Sequence, residues 1–278
     1  MDITVLIENL GPEGLACEHG LALHINYRGH SFLLDTGSTG AFADNARALG
    51  IDLAGVETAV LSHGHYDHAD GMRAFFKANC RAPMLVRAGA KGAYYSMRAG
   101  APKFVGIHRD ICRDYEDRLV EVEGLYPLME GAWLVENPAP EANPERAQHL
   151  YKKEGEDRFL PDDFSHEHSL VLEGERGLVV FNSCCHAGAA NIAAHIARTF
   201  PGKPIAALLG GFHMMGATGT DSINCSKEYI RAVAHEFKTL GIGRIYTGHC
   251  TGMPAFDLLK AELGERLDYM RTGDRITL

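Results

Sequence analysis

Residues 61–71 read LSHGHYDHADG, three histidines and two aspartates within eleven positions. Imidazole and carboxylate are the natural ligands of zinc and similar divalent ions. The spacing His63-x-His65-x-Asp67-His68 follows directly on the apolar run of 56–62. In extended backbone His63 and His65 point to the same side. A turn after them presents Asp67 and His68 as a second set, so one loop can feed two adjacent ions. A solvated polar loop is the ordinary account of one histidine; it does not account for four ligands at a strand end.

Two other places repeat this topology. VVFNSCCHAG sets His186 past an apolar strand and before a helix, and RIYTGHCTG does the same for His249. Each alone would be an ordinary loop histidine, but three strand ends of one kind support one another. Cys184 and Cys185 precede His186, and Cys250 follows His249. Soft ligation by these thiols is chemically possible. The expectation is plainer: adjacent side chains face opposite ways, so one cysteine packs beneath the site and the other faces a neighbouring loop. His166 and His168 alternate in FSHEHS, at the border of a long polar segment, where they meet substrate or solvent.

These residues need strands to carry them. The apolar patterning predicts strands over 3–9, two over 21–37 around a turn at Arg28-Gly29, and further strands over 56–62 and 83–88. Helices are predicted over 40–50 and 70–80, the second capped by Asp70. The pattern weakens over 88–165, where only DRLVEVEG and GAWLVEN read as strands. The proline-rich stretch 138–168 reads as a long loop, a kind that is usually functional. Regularity returns with two strands over 169–183. Helix 188–199, strand 205–209, helix 225–240, strand 242–247 and helix 254–263 follow. Hairpins early and strand–helix alternation late imply mixed sheets covered by helices, a layered α/β architecture. The length of 278 residues predicts one domain over 1–278 with an inserted lid or substrate-specificity region at about 88–165.

Composition narrows the partners. The net charge is −9 and there is no basic block, so no nucleic-acid partner is expected. No apolar run is long enough to span a membrane. The start MDITVLIENL lacks a basic leader, and seven scattered cysteines suit a reducing compartment. The expected location is the cytoplasm and the expected partner a small molecule, with the oligomeric state open.

In their order, LSHGHYDHADG, SCCHAG and TGHCTG resemble the ligand motifs of the metallo-β-lactamase superfamily of αββα hydrolases. FLLDTGSTG resembles its first motif. LLGGFHMMG, with SCCHAG before it and GHCTG after, is similar to the branch of dihydropterin–ribofuranosylaminobenzene phosphate synthases. The resemblance implies a four-layer αββα sandwich with mixed sheets. It puts His63, His65 and His186 on one metal and Asp67, His68 and His249 on the other, with Asp35 bracing the ligand loop. Many members carry an aspartate bridging the two metals; here that place reads ALLGGFHMMG, with Gly210 and Gly211 near it and His213 beyond. The metals would then be bridged by water or hydroxide, with His213 lining the pocket and His168 another candidate contact to substrate. An aspartate installed at Gly211 is expected to tighten the metal pair while blocking a bound anion.

The expected activity is hydrolysis, or a phosphate-transfer-type reaction, of a phosphoester, lactone or pterin-like small molecule. Two divalent ions, zinc first and manganese or iron next, would supply a hydroxide nucleophile that Asp67 orients. A di-iron redox protein is one alternative; related flavin-partnered proteins carry an acidic residue where His65 stands. The other is a non-catalytic protein that holds a pterin or nucleotide, with the aromatic segment 88–105 as a stacking lid. LLDTGSTG also resembles the Asp-Thr-Gly of aspartic proteases, but those need two facing copies and one is present.

Overall fold

The structure is a computed structural model, and it describes residues 1–97, 101–140 and 149–278. The chain forms two compact units. The first comprises Met1–Glu123, His149–Glu167 and Arg271–Leu278, and the second Gly124–Gln148 and His168–Met270.

The first unit carries a mixed seven-stranded sheet. Its order is Arg275–Thr277, Asp2–Ile7, Ala22–Tyr27, His30–Leu34, Thr58–Leu61, Met84–Arg87 and Leu119–Val122. The antiparallel half is built from hairpins and the chain end. The other half is parallel, from His30–Leu34 to Leu119–Val122. Parallel strands covered on both faces read as continuous apolar runs. Thr58–Leu61, TAVL, is such a run, with Ala59, Val60 and Leu61 all buried. Helices Ala41–Ala48 and Met72–Ala78 place Phe42, Met72, Phe75 and Phe76 into one core with Leu6, Leu33, Ala59 and Leu61. Asn45 ties that core to the first loop, donating to the carbonyls of Leu6 and Ala16 and accepting from the Ala16 N–H.

Two sequence expectations are corrected in this unit. Asp70 does not cap the helix at Met72–Ala78; Gly71 occupies that position. A Cβ there would collide with the carbonyls of Thr36 and Thr39, so the glycine is required by the packing of the turn. The Asp70 carboxylate turns instead to His108, and burial raises its pKa to about 6. The stretch 138–168 is not one long loop. Leu150–Glu154 and Arg158–Pro161 form a hairpin that continues through Tyr94–Ser96 to Lys103–Phe104 as a four-stranded sheet. These strands are half-buried, so neither face shows an apolar alternation that could announce them. Residues 141–148 of that stretch lie outside the described residues.

The second unit carries another mixed seven-stranded sheet, ordered Leu267–Tyr269, Arg244–Thr247, Ile205–Gly210, Gly177–Phe181, His168–Gly174, Ala132–Glu136 and Tyr126–Met129. Helix Lys227–Thr239 buries Ile230, Val233, Ala234 and Phe237, an i, i+3, i+4, i+7 stripe, and Ser226 caps it through the Tyr229 N–H. Helix Ala189–Thr199 repeats that stripe with Ala189, Ile192, Ala193 and Ile196. The parallel strands Gly177–Phe181, Ile205–Gly210 and Arg244–Thr247 end together and deliver the loops that bear His186, His213 and His249. Among the described residues no helix is long and apolar enough to cross a membrane.

Candidate metal centre

In the first unit the chain leaves Leu61 and enters the ligand loop at Ser62. Asp35 sits at the end of the neighbouring strand, fully buried, with φ of 59°. That left-handed backbone is strained for a residue with a side chain, and its surroundings must hold it. Its Oδ1 accepts from the Ser62 N–H at 2.7 Å. Its Oδ2 accepts from the Ser62 hydroxyl at 2.7 Å and from His68 Nδ1 at 2.8 Å.

The proton directions follow. A carboxylate only accepts, so Ser62 Oγ spends its one proton on Asp35. His63 Nδ1 lies 2.9 Å from that oxygen and must therefore donate to it. His68 Nδ1 donates to Asp35 directly. Both rings thus carry their proton on Nδ1 and their lone pair on Nε2, the form a metal takes. Burial, with His68, His65 and His166 nearby, holds His63 well below the ordinary histidine pKa and keeps it neutral. The three rings cluster, His63 being 4.6 Å from His65 and 4.4 Å from His68 between centroids.

Asp67 lies in the single helical turn Tyr66–Ala69, its Oδ2 3.2 Å from His19 Nε2 and 3.7 Å from His68 Nε2. His68 Nε2 and the Asp67 carboxylate are thus close together, and an imidazole nitrogen beside a carboxylate oxygen is a donor set that fits a divalent ion. The Thr36 N–H and hydroxyl clasp the His68 carbonyl, at 2.8 and 2.9 Å.

The loop is also gripped by a segment that reads in the sequence as a polar border. His166 is fully buried: its Nδ1 accepts from the Gly64 N–H at 3.0 Å, and its Nε2 donates to Asp162 Oδ2 at 3.2 Å. The same oxygen lies 3.9 Å from His65 Nε2. Burial pushes the Asp162 carboxyl up, but the charge and hydrogen bond of His166, with those of His65, outweigh it and hold it below the usual carboxylate range. Burial lowers His166 despite Asp162. A Cβ at Gly64 would strike the Ala90 carbonyl, so this close approach needs glycine. Tyr94, from the aromatic segment, is buried with its hydroxyl on the Gly89 carbonyl and its ring 4.0 Å from that of His166. It is a packing element rather than an open stacking surface; residues 98–100 of that segment lie outside the described residues.

The second unit holds the other candidates. His186 follows Cys185, whose N–H donates to Asn182 Oδ1 at 2.7 Å; Asn182 in turn donates to Ser169, and Ser169 to Asn137. His213 lies beside it, the two rings 4.3 Å apart. His249 begins a 3-10 turn, His249–Thr251, fixed by Thr247 donating to the Gly210 carbonyl and by Thr251 Oγ1 accepting the Phe212 N–H. Cys185, His213 and His249 all have φ between 48° and 51°, backbone strain clustered where chemistry is expected. Cys185 packs in the apolar core, whereas Cys184 faces Cys250 with the sulfurs 3.5 Å apart. His168 is not in a loop; it is buried at the start of a strand, paired with Glu136. The place of the missing aspartate is closed: a Cβ on Gly211 would meet Cys250 Sγ at 2.5 Å. An aspartate at Gly211, expected to tighten the metal pair, would have to displace that sulfur.

Ser62, Asp162 and His19 belong to the site without a sequence signal that marks them. A serine before a histidine and a lone aspartate in a polar stretch carry no spacing signal of their own.

The metallo-beta-lactamase superfamily pattern matches residues 18–186, and the chain belongs to that superfamily. It has the α/β metallo-β-lactamase fold. It is 26% identical over 275 residues to the 7,8-dihydropterin-6-methyl-4-(beta-D-ribofuranosyl)-aminobenzene-5'-phosphate synthase of Methanocaldococcus jannaschii, covering 92% of this chain and 88% of that one. It is similar to the crystal structure of a metal-dependent hydrolase of the beta-lactamase superfamily, with a TM-score of 0.82 and 26% identity over 100% of this chain and 99% of the other. A diphosphatase of the PhnP family shares the fold at a TM-score of 0.59 and 13% identity, covering 100% and 97%. The fold implies divalent-metal binding, and its members are generally hydrolases.

Proposed function

We propose that this chain is a dinuclear metal hydrolase acting on a small phosphorylated molecule. The observation that carries the reading is the Asp35 network, which sets both His63 and His68 in the metal-ready tautomer. Following the family resemblance, His63, His65 and His186 take one ion and Asp67, His68 and His249 the other, zinc before manganese or iron. Bound divalent ions supply Lewis acidity, which polarises an ester oxygen and brings the pKa of water toward neutrality. Asp67 holds its ion and orients the attacking oxygen. Asp35 and Ser62 keep the imidazoles in place through turnover, and Asp162 and His166 fix the loop at Gly64 and His65. His213 lines the pocket at His186, and His168 contacts the substrate.

The substrate class rests on the methanogen relative, whose name specifies a pterin-bearing ribofuranosyl phosphate. A pterin-like phosphate is accordingly the first compound to try. A reaction between small molecules in the cytoplasm suits an acidic chain without a basic tract. The test strips the protein of metal and restores zinc, manganese or iron. Phosphomonoesters, phosphodiesters, lactones and pterin phosphates are then assayed. Turnover that returns with metal supports the reading, and a chain that takes up no metal sinks it.

A further inference from the structure

Cys184, His249 and Cys250 lie together in the second unit, all buried, with ligand atoms within 4.8 Å of one another. The two sulfurs are 3.5 Å apart. That is far beyond a disulfide bond of about 2.05 Å. It is close to the separation of two sulfurs on one tetrahedral zinc, roughly 3.8 Å for Zn–S bonds of about 2.3 Å. The pair comes from two different strand ends, and the backbone beside each sulfur is strained: φ is 51° at Cys185 and 48° at His249.

The Cys250 sulfur is also approached from a third strand end, the one that follows Ile205–Gly210. The His213 N–H donates to its Sγ at 3.2 Å. The same Sγ fills the space that any side chain at Gly211 would enter. The strand end without a carboxylate thus has a sulfur in front of it.

We propose that Cys184 and Cys250 are sulfur ligands of the ion that His249 holds, making this a mixed nitrogen–sulfur site for a thiophilic divalent metal. The inference rests on the metal-hydrolase reading for the presence of that ion. It adds a selectivity: thiolate favours zinc, cobalt or cadmium over manganese and magnesium.

The experiment uses the full-length chain, freed of metal, kept reduced and titrated anaerobically with cobalt(II). A sulfur-to-cobalt charge-transfer band in the near ultraviolet should grow to saturation at one equivalent. The variants C184S and C250S should each weaken it, and the double variant should lose it while still binding cobalt at the His63 loop. Cys17, Cys80, Cys112, Cys185 and Cys225 are left intact throughout, so a band that survives the double variant overturns the proposal. Cadmium-113 NMR of the unmodified chain gives the same answer without a variant. A resonance in the sulfur-ligated range supports the site, and only nitrogen- and oxygen-ligated resonances refute it. Cobalt bound with no charge-transfer band removes the sulfur ligands alone; no cobalt uptake removes the hydrolase reading with them.

Discussion

The two units prepare their histidines in different ways. In the first, one buried carboxylate sets the proton positions of two imidazoles: Asp35 acts on His68 directly and on His63 through Ser62. In the second, the backbone does more of the work. His213 and His249 sit on left-handed residues at the ends of parallel strands; Thr251 pins their loops and Asn182 pins that of His186. A carboxylate network fixes the electronic form of a ligand. A strained loop fixes where the ligand stands. The two halves should therefore fail differently when damaged.

The largest effect should come from the ligands themselves. His63→Ala or His65→Ala should cost one metal equivalent and nearly all turnover, because no neighbour supplies the lost nitrogen. Elemental analysis finding both equivalents in either variant would show that the assignment of these ligands is wrong. Asp35→Asn should come next. The carboxylate accepts from three donors, and an amide must turn its NH₂ toward one of them. Metal affinity should fall ~10–100-fold with the fold retained, the usual cost of losing a partner behind a ligand. Ser62→Ala should sit at the low end of that range, since it frees only the His63 proton. Calorimetric titration of both variants ranks them, and a larger loss for Ser62→Ala would reverse the proposed order of the relay.

Gly211→Asp probes the other unit. The sulfur of Cys250 stands 2.5 Å from the new Cβ, so the strand end must shift. Overpacking of this kind costs about 1–3 kcal/mol. The melting temperature should fall and metal affinity should not improve. If the Gly211→Asp variant melts no lower than the parent, the loop yields easily, and the contrast drawn between the units loses its second half.

What the sequence made legible was what short periodicities encode. Apolar runs marked the parallel strands, and the histidine spacing marked the loop at their ends. Partners that arrive from far along the chain were not legible. Arg275–Thr277 pairs with Asp2–Ile7 across almost the whole chain. Asp162 and His166 reach Gly64 and His65 from about a hundred residues away. The strands that lead up to them, Leu150–Glu154 and Arg158–Pro161, are half-buried and lack alternation. The facing of Cys184 and Cys250 depends on where two loops meet, which no local pattern states. Asp70 looked like a cap because its chemistry suits one, but the space against Thr36 and Thr39 admits only Gly71.

The smallest effect, and the one that separates proton from metal, is the pH dependence of the metal-free chain. Burial depresses His63 and His166 below 6.5 in the folded state. In the window just below 6.5 the unfolded chain therefore binds more protons than the folded one. Stability from these groups is full above 6.5 and is lost as pH falls through that window. Asp70 runs the other way: raised from 3.8 to about 6, it favours folding below 3.8 and loses that contribution as pH rises through 6. The two slopes partly cancel, so Asp70→Asn should expose the histidine slope. In that variant, metal-free, the melting temperature should drop on going from about pH 7.5 to about pH 5.5. Loading with zinc should steepen the drop, because protons and metal compete for the same nitrogens. A metal-free variant that melts alike at both values would mean that His63 and His166 are not held neutral by burial, and the carboxylate network would lose its role as the feature that prepares the first unit.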